Sequence, residues 1–333
     1  MPHIFLCHTE HAFQNYYGER ALAGLRAMGE VRRNPTDHPL ASDELLAASQ
    51  GCQIIVSDRN TPGDAALFAR HPTLEAFVRC AMDIRTVDVA AASANGILVT
   101  RASAGFDAAV AELVIAMMVD LSRDLSANVT AYRTGQKVTI RMGRQLRGST
   151  LGILGYGFIG RYLAELAVAL GMEVLVHDPL VKIGDGKPRA YGFAELLAAS
   201  DYVVCLVAAT PETENLIDAD AIAAMKPTAF FINASRGNLV DEAALEKALD
   251  ERRIAGAAMD VGRAPDQMPS PHLARRSDVV AAPHVGGLTP PAIEHQSMET
   301  VRQVEAILAG RFPVGAVNAD KATRIRNRME GKP

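Results

Sequence analysis

The chain has 333 residues and 49% hydrophobic content, which is enough for about two globular domains, each with its own core. A formal net charge of -4 and a pI near 6.2 give no overall basic field, so neither nucleic acid nor an anionic membrane is expected as a partner. The apolar stretch within residues 1–8 is too short for a secretory signal, and the four cysteines form no CxxC pair. We therefore expect a soluble cytoplasmic protein with reduced thiols and no metal site.

Short apolar strands alternate with helical stretches in the N-terminal part of the chain. The predicted strands are residues 4–7, 53–57, 74–79 and 97–100, with a helix around residues 20–28. Such alternation favours a parallel sheet with helices on both faces. This part of the sequence predicts a first doubly wound α/β domain.

A second α/β unit follows a long connecting helix. The amphipathic pattern predicts a helix over residues 107–126, and a polar stretch covers residues 134–149 before the next strand begins at Leu151. The helical pattern over residues 290–308 is expected to return to the first domain. The tail from Lys321 is basic and poor in apolar residues, so we predict a solvated surface segment.

A glycine-rich segment, Gly155-Tyr156-Gly157-Phe158-Ile159-Gly160, lies between an apolar run and a helical run and is called the glycine turn below. The first glycine permits a sharp turn, the second lets the backbone approach a pyrophosphate, and the third lets the helix pack closely on the sheet. The free amides at the start of that helix favour a phosphate group. After a second strand, Asp178 can accept hydrogen bonds from ribose hydroxyls, which favours NAD over NADP.

Polar residues follow the apolar strands of the second half at the points where the strands should end. They are Asp178, Asn233 to Arg236, Asp260 and His284. The carboxyl ends of parallel strands meet at one edge of a sheet, where ligands bind, so these side chains should converge. The Arg236 guanidinium can hold a carboxylate by two hydrogen bonds, and the His284 imidazole can exchange a proton with a hydroxyl group near neutral pH.

Five motifs of the second half occur in a characteristic order and spacing. They are the glycine turn, Asn233-Ala234-Ser235-Arg236-Gly237, residues 240–245 (VDEAAL), residues 255–261 (AGAAMDV) and Pro283-His284-Val285-Gly286-Gly287. Together they resemble the D-isomer-specific 2-hydroxyacid dehydrogenases, the family that includes phosphoglycerate dehydrogenase, from about Phe77 to Thr289. The resemblance implies a flavodoxin-like substrate domain (residues 1–100 and 290–333), a Rossmann-type NAD domain (residues 101–289) and a homodimer.

The resemblance also implies roles for individual residues. Arg236 matches the substrate-binding arginine, His284 the acid/base, and Asp260 the carboxylate that holds the nicotinamide carboxamide. Asp178 matches the ribose ligand, and Thr210 lies in a segment similar to the loop beside the cofactor. The remaining cofactor contacts implied are those of the glycine turn, Gly155, Gly157, Phe158, Ile159 and Gly160, together with Ala234, Ser235 and Gly286.

Two segments depart from the family pattern. The glutamate that normally pairs with the catalytic histidine is absent, and Asp266 lies about one residue beyond its place. We expect the Asp266 carboxylate to reach His284 through a re-shaped loop, the alternative being that it faces solvent or cofactor. Residues 80–85 (CAMDIR) replace a glycine-rich loop, and the Met82 and Asp83 amides are expected to bind the substrate carboxylate instead.

Arginines around that loop have two open interpretations. Arg79, Arg85 and Arg101 are either scattered solvated charges or a pocket for a second anionic group of the substrate. The sequence does not decide between these interpretations.

The sequence as a whole predicts an NAD-dependent oxidoreductase that transfers hydride between nicotinamide and C2 of a small anionic 2-hydroxy or 2-keto acid. A formate- or phosphite-type dehydrogenase is the first alternative, since such enzymes depend less on the missing glutamate. The second alternative is an NAD-sensing co-regulator without primary catalytic function. The identity of the hydroxy acid is left open.

Overall fold

The computed structural model describes residues 1–184, 186 and 188–329. The chain forms two compact units: unit 1 consists of Met1–Gly105 with Thr289–Pro333, and unit 2 of Phe106–Leu288. The boundaries predicted from the sequence differ from these units by a few residues, and residues 330–333 lie outside the described part of the chain. The assignment of substrate to one unit and cofactor to the other stays a prediction at this point.

Every strand pairing of the two sheets is parallel within the described residues. The strands of unit 1 are β1 (His3–Leu6), β2 (Glu30–Arg33), β3 (Ile54–Ser57), β4 (Ala76–Arg79) and β5 (Leu98–Arg101). Those of unit 2 are β6 (Thr150–Leu154), β7 (Glu173–His177), β8 (Arg189–Ala190), β9 (Tyr202–Cys205), β10 (Phe230–Asn233), β11 (Gly256–Met259) and β12 (Val279–Ala281).

Helices connect these strands in both units. Those of unit 1 are α1 (Glu10–Tyr16), α2 (Glu19–Arg26), α3 (Ser42–Ala48), α4 (Ala65–Arg70), α5 (Val89–Ala94), α13 (Pro290–Leu308) and α14 (Thr323–Met329). Those of unit 2 are α6 (Asp107–Arg123), α7 (Leu125–Arg133), α8 (Phe158–Ala169), α9 (Phe193–Ala199), α10 (Ala219–Ala224), α11 (Glu242–Asp250) and α12 (Pro271–Ala274).

Unit 1 is a five-stranded sheet with the order β2-β1-β3-β4-β5 and helices on both faces. Alternation along β1 sends Ile4 and Leu6 into a core shared with α2 and α13, and sends Phe5 into the opposite core with α3 and α4. The strand order reverses between β1 and β3, as in flavodoxin-like sheets. The predicted flavodoxin-like topology is therefore confirmed.

The C-terminal tail contradicts the prediction of a solvated segment from Lys321. It forms α14, in which Ile325 is fully buried, and the preceding Ala322 is also fully buried. Arg324 Nη1 donates to the carbonyl oxygens of His71 at 2.9 Å and Leu74 at 2.8 Å. The prediction was wrong because part of the positive charge of this tail is hydrogen-bonded to backbone carbonyl oxygens of unit 1 rather than to water.

Unit 2 is a seven-stranded sheet with the order β12-β11-β10-β9-β6-β7-β8. Helices α6 and α8 cover one face and α9, α10 and α11 cover the other. The order reverses between β6 and β9, which is the Rossmann-type arrangement that the sequence predicts. A ligand of this unit is therefore expected at the carboxyl ends of β6 and its neighbours.

The helix predicted over residues 107–126 is interrupted. It ends at Arg123, and α7 begins at Leu125 after Asp124, which adopts a left-handed conformation with φ 51°. Aspartate tolerates this conformation better than most residues, so periodicity alone gives no sign of the break. Among the described residues, no helix has the length and apolar content needed to cross a bilayer.

Candidate active site

The glycine turn joins β6 to α8 with the geometry of a pyrophosphate-binding loop. Gly155 has φ 93°, and a Cβ there would lie 2.7 Å from the carbonyl oxygen of Leu206. A Cβ at Gly160 would lie 2.3 Å from the carbonyl oxygen of Gly155, so this glycine permits close packing of helix on strand. A Cβ at Gly157 would meet no protein atom within 4 Å. Protein packing thus accounts for two of the glycines, while the third leaves the backbone open to a ligand.

The start of α8 supplies the amides that suit a phosphate. Gly157 is the N-cap residue, Phe158 is 78% exposed, and the first turn of the helix contains no acidic residue. Asp178, just after β7, accepts hydrogen bonds from the amides of Tyr156 at 2.7 Å and Leu180 at 2.9 Å. Its carboxylate therefore fixes the glycine turn, and the ribose contact expected of Asp178 stays a prediction.

The loops after β9 and β10 lie beside the turn at the same edge of the sheet. Ser235 Oγ donates to the carbonyl oxygen of Val207 at 2.6 Å, which ties the two loops together, and Ala234 is buried beneath them. The Thr210 amide donates to Thr213 Oγ1 at 2.8 Å and starts a single 3-10 turn. These contacts give Thr210, Ala234 and Ser235 defined positions at the edge where the cofactor is expected.

Asp260 organises the loop that carries the histidine. Its side chain is 3% exposed, and its two carboxylate oxygens accept from the amides of Val285 at 2.8 Å and Gly286 at 2.9 Å. A Cβ at Gly286 would lie 2.7 Å from Asp260 Oδ2, so only glycine fits without a shift. The carboxylate is thus used to hold residues 284–286, and the carboxamide contact expected of Asp260 is not tested by this geometry.

His284 is held in a single orientation by backbone groups. It has φ 55°, a left-handed conformation that is uncommon for histidine, and its amide donates to the carbonyl oxygen of Asp260 at 2.9 Å. Its Nδ1 lies 2.8 Å from the carbonyl oxygen of Asp266. Because a carbonyl oxygen can only accept, Nδ1 carries a proton in both charge states, and a change of charge on the imidazole takes place at Nε2.

The loop that contains Asp266 has an unusual backbone. Asp266 and Gln267 both have positive φ, 57° and 58°, and Asp266 is exposed. Two successive left-handed residues other than glycine store strain, which is typical of functional loops. The sequence suggested that the Asp266 carboxylate reaches the imidazole; the contact described above comes from the backbone carbonyl of the same residue.

Arg236 lies on the neighbouring strand end. It is half-buried, precedes the 3-10 turn Gly237–Leu239 after β10, and donates from Nη1 to the carbonyl oxygen of Ser235 at 2.7 Å. Asn233 Nδ2 donates to the carbonyl oxygen of Arg236 at 2.9 Å and shapes this turn. Since β10, β11 and β12 are adjacent, Arg236, Asp260 and His284 follow three consecutive strands of one sheet edge.

The predicted substrate loop of unit 1 follows β4. Met82 is 39% exposed, and Asp83 pairs with Arg85, with 2.6 Å between Asp83 Oδ2 and Arg85 Nη2. The negative charge that Asp83 adds is therefore offset within the loop. Arg79 fits neither interpretation made from the sequence: it is fully buried and donates from Nη2 to the carbonyl oxygen of Thr61 at 3.0 Å.

Burial also controls the titration of this edge of unit 1. Desolvation lowers the pKa of Arg79 and lowers the pKa of the buried His8 to about 4, so His8 is neutral at physiological pH. Burial likewise raises the pKa of the Cys80 thiol to about 12. These groups therefore do not exchange protons near neutral pH. Among the described residues, no three His, Cys, Asp or Glu side chains form a metal-binding group.

Two residues to which the sequence analysis assigns no role connect these loops. Glu242, at the start of α11, is 7% exposed, and Arg263 contacts several segments around the Arg236 turn. Glu242 lies in the motif of residues 240–245, but its contacts with Arg263 and Ser270 are distant in sequence, so the motif does not indicate them. Only their positions beside Arg236 and Asp266 could have drawn attention to them.

Comparisons with known proteins identify the family. A family model described as "D-isomer specific 2-hydroxyacid dehydrogenase, NAD binding domain" matches residues 115–286. An (S)-sulfolactate dehydrogenase from Chromohalobacter salexigens is 34% identical over 272 residues, covering 80% of this chain and 88% of the relative. A D-3-phosphoglycerate dehydrogenase from Mycobacterium leprae is 33% identical over 281 residues, covering 83% of this chain and 53% of the relative. The chain thus spans about half the length of that relative.

Solved structures agree in fold. An NAD complex of a D-isomer specific 2-hydroxyacid dehydrogenase from Lactobacillus delbrueckii ssp. bulgaricus aligns with TM-score 0.81 and 22% identity, over 96% of this chain and 100% of that chain. The chain belongs to the D-isomer-specific 2-hydroxyacid dehydrogenase family. It is an NAD-binding oxidoreductase that acts on CH–OH donors, as the sequence predicts.

Proposed function

We propose that the chain interconverts a small 2-hydroxy acid of D configuration and its 2-keto acid, with His284 as acid/base and Arg236 as the carboxylate ligand. The observation that carries this proposal is the fixed orientation of His284, whose Nδ1 lies 2.8 Å from the carbonyl oxygen of Asp266, so that we assign proton exchange to Nε2. Arg236 follows β10 and His284 follows β12, two strands away in the sheet, so both lie at the same sheet edge.

The residues present fit NAD. The open side of Gly157 and the amides of Phe158 and Ile159 suit the pyrophosphate, and Asp178 suits the adenosine ribose. When bound, NAD accepts hydride from C2 of the hydroxy acid or returns it to the keto acid. In oxidation, neutral His284 removes the hydroxyl proton through Nε2; in reduction, the protonated imidazole returns it. Arg236 holds the carboxylate and stabilises negative charge on the adjacent oxygen.

For the substrate, we propose a 2-hydroxy acid with a second anionic group on C3. The substrates named for two relatives, sulfolactate and 3-phosphoglycerate, share this feature. Arg101, the last residue of β5, is exposed, and its guanidinium makes no hydrogen bond or ion pair within the described residues. It is our candidate for the second anion, while the Met82 and Asp83 amides remain candidates for the carboxylate.

A keto-acid panel with NADH tests the reaction and the substrate class together. We expect kcat/KM to be highest for 3-sulfopyruvate and 3-phosphohydroxypyruvate, lower for hydroxypyruvate, and lowest for 2-ketobutyrate and phenylpyruvate. Arg101→Gln should lower kcat/KM for the two dianionic substrates by about tenfold and leave 2-ketobutyrate unchanged, because one charge-assisted contact is worth about 1.5–3 kcal/mol. Equal losses for all substrates would contradict the role of Arg101.

The same panel decides between the alternatives. Oxidation of formate or phosphite with NAD, without turnover of any keto acid, would replace the proposal by the first alternative. Tight NADH binding without any turnover would favour the co-regulator.

We further propose that the chain is a homodimer formed through unit 2. Large apolar side chains of α7 and the segment after it are exposed: Leu125 55%, Tyr132 75%, Ile140 97% and Met142 100%. Exposed apolar residues grouped in one segment are typical of a protein interface. Light scattering should give about twice the chain mass of 35.5 kDa, and the double variant Ile140→Lys, Met142→Lys should shift the protein towards monomer. A wild-type monomer at micromolar concentration would contradict the dimer.

We also propose a cytoplasmic location. All four cysteines are free, buried thiols, which is typical of proteins in a reducing compartment. Cell fractionation with a tagged chain checks this proposal, and recovery in an oxidising compartment would contradict it.

A further inference from the structure

Arg263 lies at the junction of three loops at the carboxyl edge of unit 2. Its Nε donates to the carbonyl oxygen of Val240 at 3.1 Å, and its Nη2 lies 3.1 Å from the carbonyl oxygen of Asn238. The same Nη2 lies 3.0 Å from Glu214 Oε1 and 2.5 Å from Asn215 Oδ1. One guanidinium therefore joins the turn after Arg236 to the loop that follows Thr210.

The backbone of Arg263 is itself fixed by Glu242. The Arg263 amide donates to Glu242 Oε1 at 3.0 Å, and Ser270 Oγ donates to Glu242 Oε2 at 2.5 Å. This buried carboxylate thus holds both ends of the loop that contains Asp266. Within the loop, the Gly262 amide donates to the carbonyl oxygen of Gln267 at 2.8 Å.

The two groups assigned to catalysis both depend on this loop. Its Asp266 carbonyl accepts from His284 Nδ1, and the left-handed backbone at Asp266 is what presents that carbonyl. On the other side, a Cβ at Gly237 would lie only 2.0 Å from the carbonyl oxygen of Gly262. The turn of Arg236 and the base of the loop are therefore in direct backbone contact, so a shift of one displaces the other.

We propose that Arg263, anchored by Glu242, is a positioning residue that sets the orientation of His284 and the placement of Arg236 for hydride transfer. The proposal rests on the function assigned above to His284 and Arg236. Arg263 acts through Asp266 and Gly237, and its multiple donors allow one side chain to fix several acceptors. A lysine has a single nitrogen and cannot reach the carbonyl of Val240 and the side chains of Glu214 and Asn215 with the same geometry.

Arg276 provides a matched control. Its side chain is 20% exposed and makes ion pairs with Asp250 at 2.6 Å and Asp278 at 2.9 Å. Asp250 ends α11, and Asp278 directly precedes β12, so this cluster lies at the amino-terminal edge of the sheet. Loss of Arg276 removes two ion pairs from unit 2, where loss of Arg263 removes one ion pair and several hydrogen bonds to neutral oxygens, and it does not touch the loop of Asp266.

The experiment compares Arg263→Ala, Arg263→Lys and Arg276→Ala with NADH and the fastest keto acid of the panel. We expect kcat of Arg263→Ala to fall on the order of 10²-fold, since small displacements of reacting groups have effects of this size. The primary isotope effect on kcat with NADH deuterated at the transferred position should rise, and Arg263→Lys should restore little. Arg276→Ala should lower the melting temperature while keeping wild-type kcat and isotope effect.

Glu242→Gln keeps the test decisive if Arg263→Ala does not fold. The side-chain oxygen of the glutamine can still accept from the Arg263 backbone amide, but the negative charge that Ser270 Oγ donates to is lost. We therefore expect a smaller decrease in kcat and a smaller rise in the isotope effect than in Arg263→Ala. If the Arg263 and Glu242 variants match Arg276→Ala in kcat and isotope effect, the proposal is wrong. Retained turnover in a His284→Ala variant would instead overturn the proposed function, so the two failures are distinguishable.

Discussion

Replacing His284 with alanine is expected to lower kcat by about 10²–10⁴-fold in both directions, because general acid–base catalysis by a positioned side chain contributes an effect of this size. The imidazole contacts the carbonyl oxygen of Asp266, in the loop after β11, through Nδ1, whereas proton exchange is assigned to Nε2. NADH binding should therefore be retained. Steady-state kinetics measures kcat, and titration of NADH fluorescence measures the affinity for NADH.

His177→Ala is the matched control for this prediction. His177 is also a half-buried imidazole of unit 2 whose Nδ1 bonds a backbone carbonyl, that of Tyr191 at 3.0 Å. Its loss should leave kcat within about twofold, as for substitutions away from catalytic groups. His284→Gln separates orientation from proton exchange, since an amide can donate to the Asp266 carbonyl but cannot exchange a proton at pH 7. Turnover of His284→Ala equal to that of the control would exclude His284 as the acid/base.

The parts of the fold that were predicted correctly are those determined by local sequence. The glycine turn is an example, because Gly155 needs a positive φ and Gly160 needs close packing, and both requirements are visible in six consecutive residues. The alternation of apolar strands with helices likewise predicts parallel sheets, since parallel strands require crossover connections. The observed strand order reverses between β6 and β9, next to this turn, as in Rossmann-type sheets.

The parts that were predicted wrongly depend on partners distant in the chain. Arg324 at the C-terminus donates to carbonyls of residues 71 and 74, and Arg79 is buried by the loop after β3. A charged side chain has the same appearance in a sequence whether it is solvated or bonded to a carbonyl far away. Composition therefore predicted solvated charges where the fold buries Arg79 and binds the half-buried Arg324 to carbonyl oxygens.

In the candidate site, too, features set by local sequence are visible in advance, and contacts between distant loops are not. The residue types at the ends of β10, β11 and β12 were predicted, because strand ends can be located from the sequence and the edge of a parallel sheet is shared. The contact between the Asp266 carboxylate and His284 that the sequence suggests stays a prediction, whereas the bond that the Asp266 carbonyl oxygen accepts from His284 Nδ1 has no counterpart in the sequence pattern. Such a contact depends on two successive left-handed residues, whose conformation no side-chain pattern specifies.

Replacing Arg236 with lysine is expected to lower kcat/KM for the keto acid by about 10²–10³-fold, although the charge is kept. A planar guanidinium can hold a carboxylate with two parallel hydrogen bonds, and an ammonium group cannot reproduce that geometry. Loss of one or two charge-assisted bonds at about 1.5–3 kcal/mol each gives an effect of this size. Arg236→Ala should lose more, and NADH affinity should change little in either variant.

A keto amide supplies the sharpest readout for Arg236. The wild-type protein should prefer a keto acid to the corresponding keto amide, because only the acid offers a carboxylate to the guanidinium, and Arg236→Ala should remove this preference. Arg253→Lys is the control. Arg253 is a half-buried arginine of unit 2 that lies just before β11, at the opposite edge of the sheet from Arg236. Its side chain donates to the carbonyl oxygen of Ala223. An unchanged preference in Arg236→Ala would mean that another group binds the carboxylate, and the exposed Met82 amide region of unit 1 would then be the next place to look.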